Sequence, residues 1–173
     1  MGFTTTPTIV VGRVASKTDL DIWSADINFL ANPPTCNLYL SAAQNAASGA
    51  SYASVTFDAE TADTDTMHST SSNTSRITAT TAGLYLVTGT IAFAANATGY
   101  RGARIAKNGS TDVTRTQSPA TAAATAHWLN IAALVRLAAG DYVELQALQN
   151  SGGNLALTTG VGGTTFQAIW QSL

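Results

Sequence analysis

Between Arg76 and Ala95 the chain reads Arg-Ile-Thr, a Thr/Ala-rich link ending at Gly83, and then Leu-Tyr-Leu-Val-Thr-Gly-Thr-Ile-Ala-Phe-Ala-Ala. Tyr85, Val87, Ile91 and Phe93 all occupy odd positions, so an extended backbone places them on one face. On a helix turning roughly 100° per residue the same four would scatter around the axis. β-branched and aromatic side chains at period 2 mark a half-buried strand. The pattern recurs toward the C-terminus with Gly or Asn between repeats, which predicts an all-β protein.

Further strands are predicted near 36–41, 52–57, 75–79, 84–95, 100–107, 112–117, 125–137, 141–149, 154–158 and 164–171. Gly49, Ala82-Gly83, Asn96 to Gly99, Asn108-Gly109, Gly140-Asp141 and Ser151 to Gly153 supply the turn chemistry between them. About ten short strands with such turns read as a sandwich or jelly roll rather than a βαβ fold. The Ser/Thr-rich stretch 61–75 reads as an irregular loop. Parity assigns Val55, Phe57, Tyr85, Val87, Ile91, Phe93, Leu129, Ile131, Val143, Leu145, Phe166 and Trp170 to the core. The strand at 125–137 is apolar on both faces, because Trp128, Ala132 and Leu134 alternate with that core set. Tyr142 and Leu148 likewise point away from Val143 and Leu145, and a strand with two apolar faces needs two buried sides.

The first 34 residues follow different rules and form a separate segment from the sandwich at 35–173. A Thr-rich arm leads to Ile9, Val10 and Val11, which suit docking along a partner. Thr18 and Asp21 stand in capping-box spacing, and Leu20, Trp23, Ile27 and Leu30 follow at steps of three, four and three. Pro33 and Pro34 end that helix. The stripe is about one heptad long, so docking onto neighbours is expected rather than a free-standing coiled coil.

A chain of 173 residues is most simply one domain with an adequate core. Only 10% of its residues are charged while 45% are hydrophobic, against about 25% charged in an ordinary domain. The apolar excess implies that part of each subunit is covered in an oligomer. A net charge of -2 with two lysines argues against a nucleic-acid surface. No apolar run reaches the length of a membrane span and the N-terminus has no leader pattern, so neither a membrane location nor ordinary secretion is expected.

Reactive groups are sparse. Cys36 is the sole cysteine, without a motif around it, and reads as an inert buried thiol. His68 lies in a Ser/Thr-rich loop and reads as structural or solvated. His127 adjoins Trp128, where a symmetric trimer could gather three copies for a metal or anion, although a hydrogen-bonded interface histidine is the simpler expectation. Asp58, Glu60, Asp63 and Asp65 have acidic spacing but lack the Gly and terminal Glu of a calcium loop. Gly160-Val161-Gly162-Gly163 precedes a strand rather than a helix and reads as a turn. The sequons at Asn73, Asn96 and Asn108 are of the kind a Ser/Thr-rich chain produces by chance, and Arg76, Arg101, Arg104 and Arg115 are too dispersed for a basic patch. No catalytic, metal-binding or cofactor-binding residue is assigned, and the chain reads as non-enzymatic.

Ala82-Gly83-Leu84-Tyr85-Leu86-Val87, Lys107-Asn108-Gly109, Gly140-Asp141 before a Val-x-Leu strand, and the terminal Thr165-Phe166 strand resemble, in order, the C1q/TNF-like jelly roll. Phe57-Asp58-Ala59-Glu60, Asp63 to His68, Ser75-Arg76-Ile77-Thr78, Gly83 to Gly89 and Asn96 to Arg101 further resemble C1q-like domains of tailed-bacteriophage virion proteins. The segment Trp23 to Pro34 is similar to the short helix ending in Asn-Pro-Pro that leads into such domains. The collagen repeats of animal C1q proteins have no counterpart here. The resemblance implies a homotrimer with interface residues Trp128, Leu134, Tyr142 and Leu148. It also implies a place on the particle surface, anchored to capsid or tail proteins through Ile9, Val10, Val11, Leu20, Trp23, Ile27 and Leu30. Capsid decoration or a head-fibre knob is the leading role; a tail tip binding host-surface glycan or protein, and a secreted C1q-like ligand, are the alternatives.

Overall fold

The computed structural model describes residues 10–121 and 125–173. In chain order its elements are α1 (Lys17–Ala31), β1 (Thr35–Tyr39), β2 (Gln44–Ala46), β3 (Ala53–Ser54), β4 (Ala59–Asp63), β5 (Arg76–Thr78) and β6 (Gly83–Phe93). There follow β7 (Tyr100–Lys107), β8 (Thr111–Pro119), β9 (His127–Leu137), β10 (Tyr142–Gln149), β11 (Leu155–Leu157) and β12 (Thr165–Ser172). Each stretch read from the sequence as a strand overlaps one of them. The strands make two antiparallel sheets: a seven-stranded one ordered β2-β11-β6-β12-β1-β4 with β9 on the remaining edge of β6, and a five-stranded one ordered β3-β10-β7-β8 with β5 also on β10. This is the jelly-roll sandwich.

Alternation decides what fills the space between the sheets. Tyr85, Val87, Ile91 and Phe93 of β6, with Phe166 of β12 and Val143 and Leu145 of β10, have no solvent exposure, and Phe57 stacks on Phe166 with centroids 5.9 Å apart. Val55, Leu129, Ile131 and Trp170 are buried in the same cluster, joined by Leu38, Leu40, Met67 and Ile77. Burying each such side chain contributes about 1.5–3 kcal/mol before chain entropy is set against it.

Turns follow the residues that allow them. Asn108 and Gly109 have φ of 51° and 80°, the pair of positive values that the tight β7–β8 hairpin requires. Gly83 works differently, since its φ is not positive. It is glycine because a side chain there would collide with the Trp170 indole and the Ser172 carbonyl. β4 falls partly in the stretch read as loop: Ala-Glu-Thr-Ala-Asp shows no apolar alternation and is held to β1 by the backbone ladder and the Thr61 hydroxyl, which donates to the Asn37 carbonyl.

The helix starts earlier than Thr18 and Asp21 suggested. Ser16 is the N-cap: its Oγ accepts the Asp19 N–H at 3.2 Å, and the Asp19 carboxylate accepts the Ser16 N–H at 2.8 Å. Arg13 closes on the same carboxylate at 2.7 Å, and these partners, Arg13 foremost, hold Asp19 down at about 2. Asp21 is instead the i,i+4 partner of Lys17. At its other end α1 meets the sandwich through Phe29, which packs edge-on against Trp170 at 4.7 Å. The Trp170 N–H donates to the Pro34 carbonyl, so the helix root is tied to β12. Among the described residues no helix is long and apolar enough to cross a membrane.

Strand polarity gives the molecule two poles. The helix root, Ala82, Asp65 and the turns at 108–110 and 138–141 lie at one, linked by Thr80 to Asp65, Trp170 Nε1 to the Ala82 carbonyl, and Asn108 to Asp141. The loops at 94–99 and 150–153 lie at the other, joined where the Tyr100 N–H meets Asn150 Oδ1 at 2.6 Å.

Candidate functional site

β9 is an edge strand that alternates buried and exposed along its length. His127, Leu129, Ile131, Val135 and Leu137 turn inward; Trp128, Asn130, Ala132, Leu134 and Arg136 turn outward. Register aligns them with β6 and β12. Leu134 lies opposite Leu86, which lies opposite Ile169, making one apolar row across three strands. One step along are Ala132, Thr88 and Gln167, then Asn130, Thr90 and Thr165, with Thr90 Oγ1 donating to Asn130 Oδ1 at 2.9 Å. Trp128 closes the row of exposed residues toward the far pole. Trp128 is 47% exposed and Leu134 61% exposed, large apolar groups on a face whose one charge on β9 is Arg136. Such a surface loses free energy in water and gains it against a complementary one.

Tyr142 and Leu148 do not belong to this surface. Both are on β10, in the opposite sheet, so the four residues expected at the interface do not share one face of the chain. Leu148 is already buried, opposite Gly102 of β7. The Tyr142 ring lies 4.0 Å beneath the Arg76 guanidinium. The surrounding face is a polar network in which Arg104 bonds Gln146 and Asp112, Ser75 donates to Glu144 at 2.6 Å, and Arg104 also covers the Tyr52 ring. A parity argument separates the two faces of a strand but does not say to which sheet the strand belongs.

His127 faces inward, opposite in parity to Trp128, and therefore does not reach an outer surface where copies could meet. Its Nε2 is 2.7 Å from Ser118 Oγ, while Nδ1 has no hydrogen-bond partner among the described residues. Burial first, then the nearby Arg101 charge, lowers its pKa. Arg101 itself is fully buried and donates to the carbonyls of Asn96, Thr98 and Tyr100. Its role as the strut of the distal loops was invisible in the sequence, where an arginine on a strand reads as surface.

The acidic run is dispersed into internal staples. Asp58 accepts from Ser41 and Ala42, Asp63 accepts the N–H groups of Asp65, Met67 and His68, and Asp65 accepts from the Thr80 and Thr81 hydroxyls. Glu60 is 2.7 Å from His68 Nδ1, whose Nε2 meets the Thr74 carbonyl at 3.1 Å. The His68 side chain is wholly buried and orders the loop. Burial drives the Cys36 thiol far above its ordinary value, with the Asp63 and Glu60 charges adding to the effect, so it is a poor nucleophile.

The helix presents a second uncovered stripe. Leu20, Ile27 and Leu30 are 52%, 64% and 56% exposed, and Trp23 is half-buried. Val10, Val11 and Val14 are also exposed, while Ile9 lies outside the described residues.

No family model matches the sequence, and no curated protein is similar to it. Solved structures do match. Murine APRIL at pH 5.0 superposes with a TM-score of 0.62 at 12% identity over 80% of this chain and 98% of the other. The globular domain of zebrafish complement 1qA gives 0.56 at 14% identity over 79% and 96%, and the Eiger TNF of S. frugiperda gives 0.59 at 11% over 80% and 94%. The chain has a C1q/TNF-like jelly-roll fold.

Proposed function

We propose that this chain is a non-enzymatic structural protein of a tailed-bacteriophage virion, a homotrimeric jelly-roll knob held on the particle through its N-terminal arm and helix. The observation that carries the reading is the pair of exposed large apolar side chains Leu134 and Trp128 on the outer face of the seven-stranded sheet, Leu134 being flanked in register by the partly buried Leu86 and Ile169. A surface of this chemistry is suited to copies of the same chain. The segment-by-segment resemblance of residues 57–101 to phage C1q-like domains supports the particle, and the exposed valines at the helix-bearing pole support the anchor. Capsid decoration or a head-fibre knob is the preferred role.

The assembly is tested by Trp128→Asp. Light scattering should show monomer or aggregate, whereas a trimer with unchanged melting would remove the outer face from the interface. The particle role is tested by antibody-labelled electron microscopy of purified virions, in which regularly spaced label on the head is expected. Label confined to the tail tip would favour the tail alternative, and its absence from the particle would overturn both.

That alternative, recognition of a host-surface glycan or protein, is favoured by the rigid loops at the pole opposite the helix. Arg101, Asn150 and Gln149 hold 94–99 and 150–153 in place, and three copies would act with avidity. The loop at 61–75 is tied through Asp65 to the helix-bearing pole and is not part of that set.

A further inference from the structure

The exposed stripe of α1 has a spacing that the sandwich does not use. The helix packs onto the body through Phe29, which turns roughly 140° about the helix axis from the mean direction of Leu20, Trp23, Ile27 and Leu30. Those four residues stand at steps of three, four and three, the a and d positions of a heptad. A period of 3.5 keeps a seam in register against other helices of the same kind, whereas packing on a globular body favours a wider band at 3.6. We propose that α1 packs in parallel against α1 of the other copies, forming a short helical seam that continues the trimer interface of the sheet. The proposal rests on the trimeric reading and deepens it.

Three observations select copies of this chain as the occupant. The root of the helix is fixed by Phe29 against Trp170 and by the Trp170 backbone N–H to the Pro34 carbonyl, and Thr35, which opens β1 just after the helix, lies opposite Ile169 in the register of the sheet. The helix thus leaves the body beside the row of Ile169, Leu86 and Leu134. The helix carries Asp19, Asp21 and Asp26 against the single Lys17, a charge pattern opposite to that of helices that lie on anionic lipid. The length, 15 residues, is too short for independent stability and sufficient for a seam whose ends are already held by the trimeric body. Val10, Val11 and Val14 precede the seam and remain exposed, so in this arrangement the arm rather than the helix stripe makes the contact with the particle.

The test uses the full-length chain with Ile27→Cys, and Asp21→Cys on the far side of the helix as its control. Cys36 is buried and contributes no background. A short bismaleimide should convert most of the I27C protein to linked species of two and three chains while D21C remains single. Light scattering on the same samples separates the two ideas. A trimer in which I27C stays unlinked, or in which both variants link equally, overturns the helical seam and leaves the sheet-mediated trimer standing. A stripe that instead binds another protein or a lipid surface would give that same unlinked trimer in solution. A monomer overturns both readings.

Discussion

Arg101 and His127 show how much of this molecule is set by single side chains that pattern reading passes over. Arg101 stands at a strand start beside Tyr100, where a cation ordinarily reaches solvent, yet it is fully buried and its guanidinium is solvated by three backbone carbonyls. Burial disfavours the charged form of His127, and the nearby Arg101 charge adds to the effect. Its folded-state pKa is therefore below the ordinary 6.5, and as pH falls the unfolded chain takes up the proton first. Stability from this residue is complete above about 6.5, drains as pH drops toward the folded value, and levels off beneath it. Urea midpoints measured across pH 5 to 8 should slope downward on the acid side for the wild type, and the difference from His127→Gln should be confined to that window. Parallel profiles for the two proteins would show that the imidazole titrates alike in the folded and unfolded chain.

At the scale of elements, period-2 alternation made β6, β9 and β12 legible, because each is long enough to repeat its pattern and faces a core on one side. β2 and β4 were not legible, since Gln-Asn-Ala and Ala-Glu-Thr-Ala-Asp carry no apolar face and are strands only because a neighbour offers backbone partners. The capping box was misplaced by two residues for a related reason. Thr18 and Asp21 satisfy its spacing as well as Ser16 and Asp19 do, and Arg13 beside Asp19 is a contact made outside the motif. Half of the candidate surface could be read: Trp128 and Leu134 follow from parity on β9. Tyr142 and Leu148 have the same outward parity, but sheet membership depends on long-range pairing, which places β10 between β7 and the short β3 and β5. The helical stripe was legible as a stripe; that Phe29, outside it, makes the contact with the sandwich depends on where Trp170 stands.

For the whole molecule, the proposed trimer would make folding and assembly one process. Leu134, Trp128, Ile27 and Leu30 are about half or more exposed, and in the trimer proposed above their stabilising value would be realised only when other copies cover them. Linkage then requires melting to depend on protein concentration. For three chains released as unfolded monomers, a hundredfold dilution lowers stability by two-thirds of RT ln 100, about 1.8 kcal/mol per chain. At this size that corresponds to a fall in melting temperature of roughly 4 to 7 °C. Differential scanning fluorimetry over that range should show the shift in the wild type and lose it in Trp128→Asp, whose melting would already be that of a separated chain. A wild-type melting temperature indifferent to dilution, with the trimer still present by light scattering, would mean that each sandwich is stable alone and that the apolar row serves attachment rather than folding.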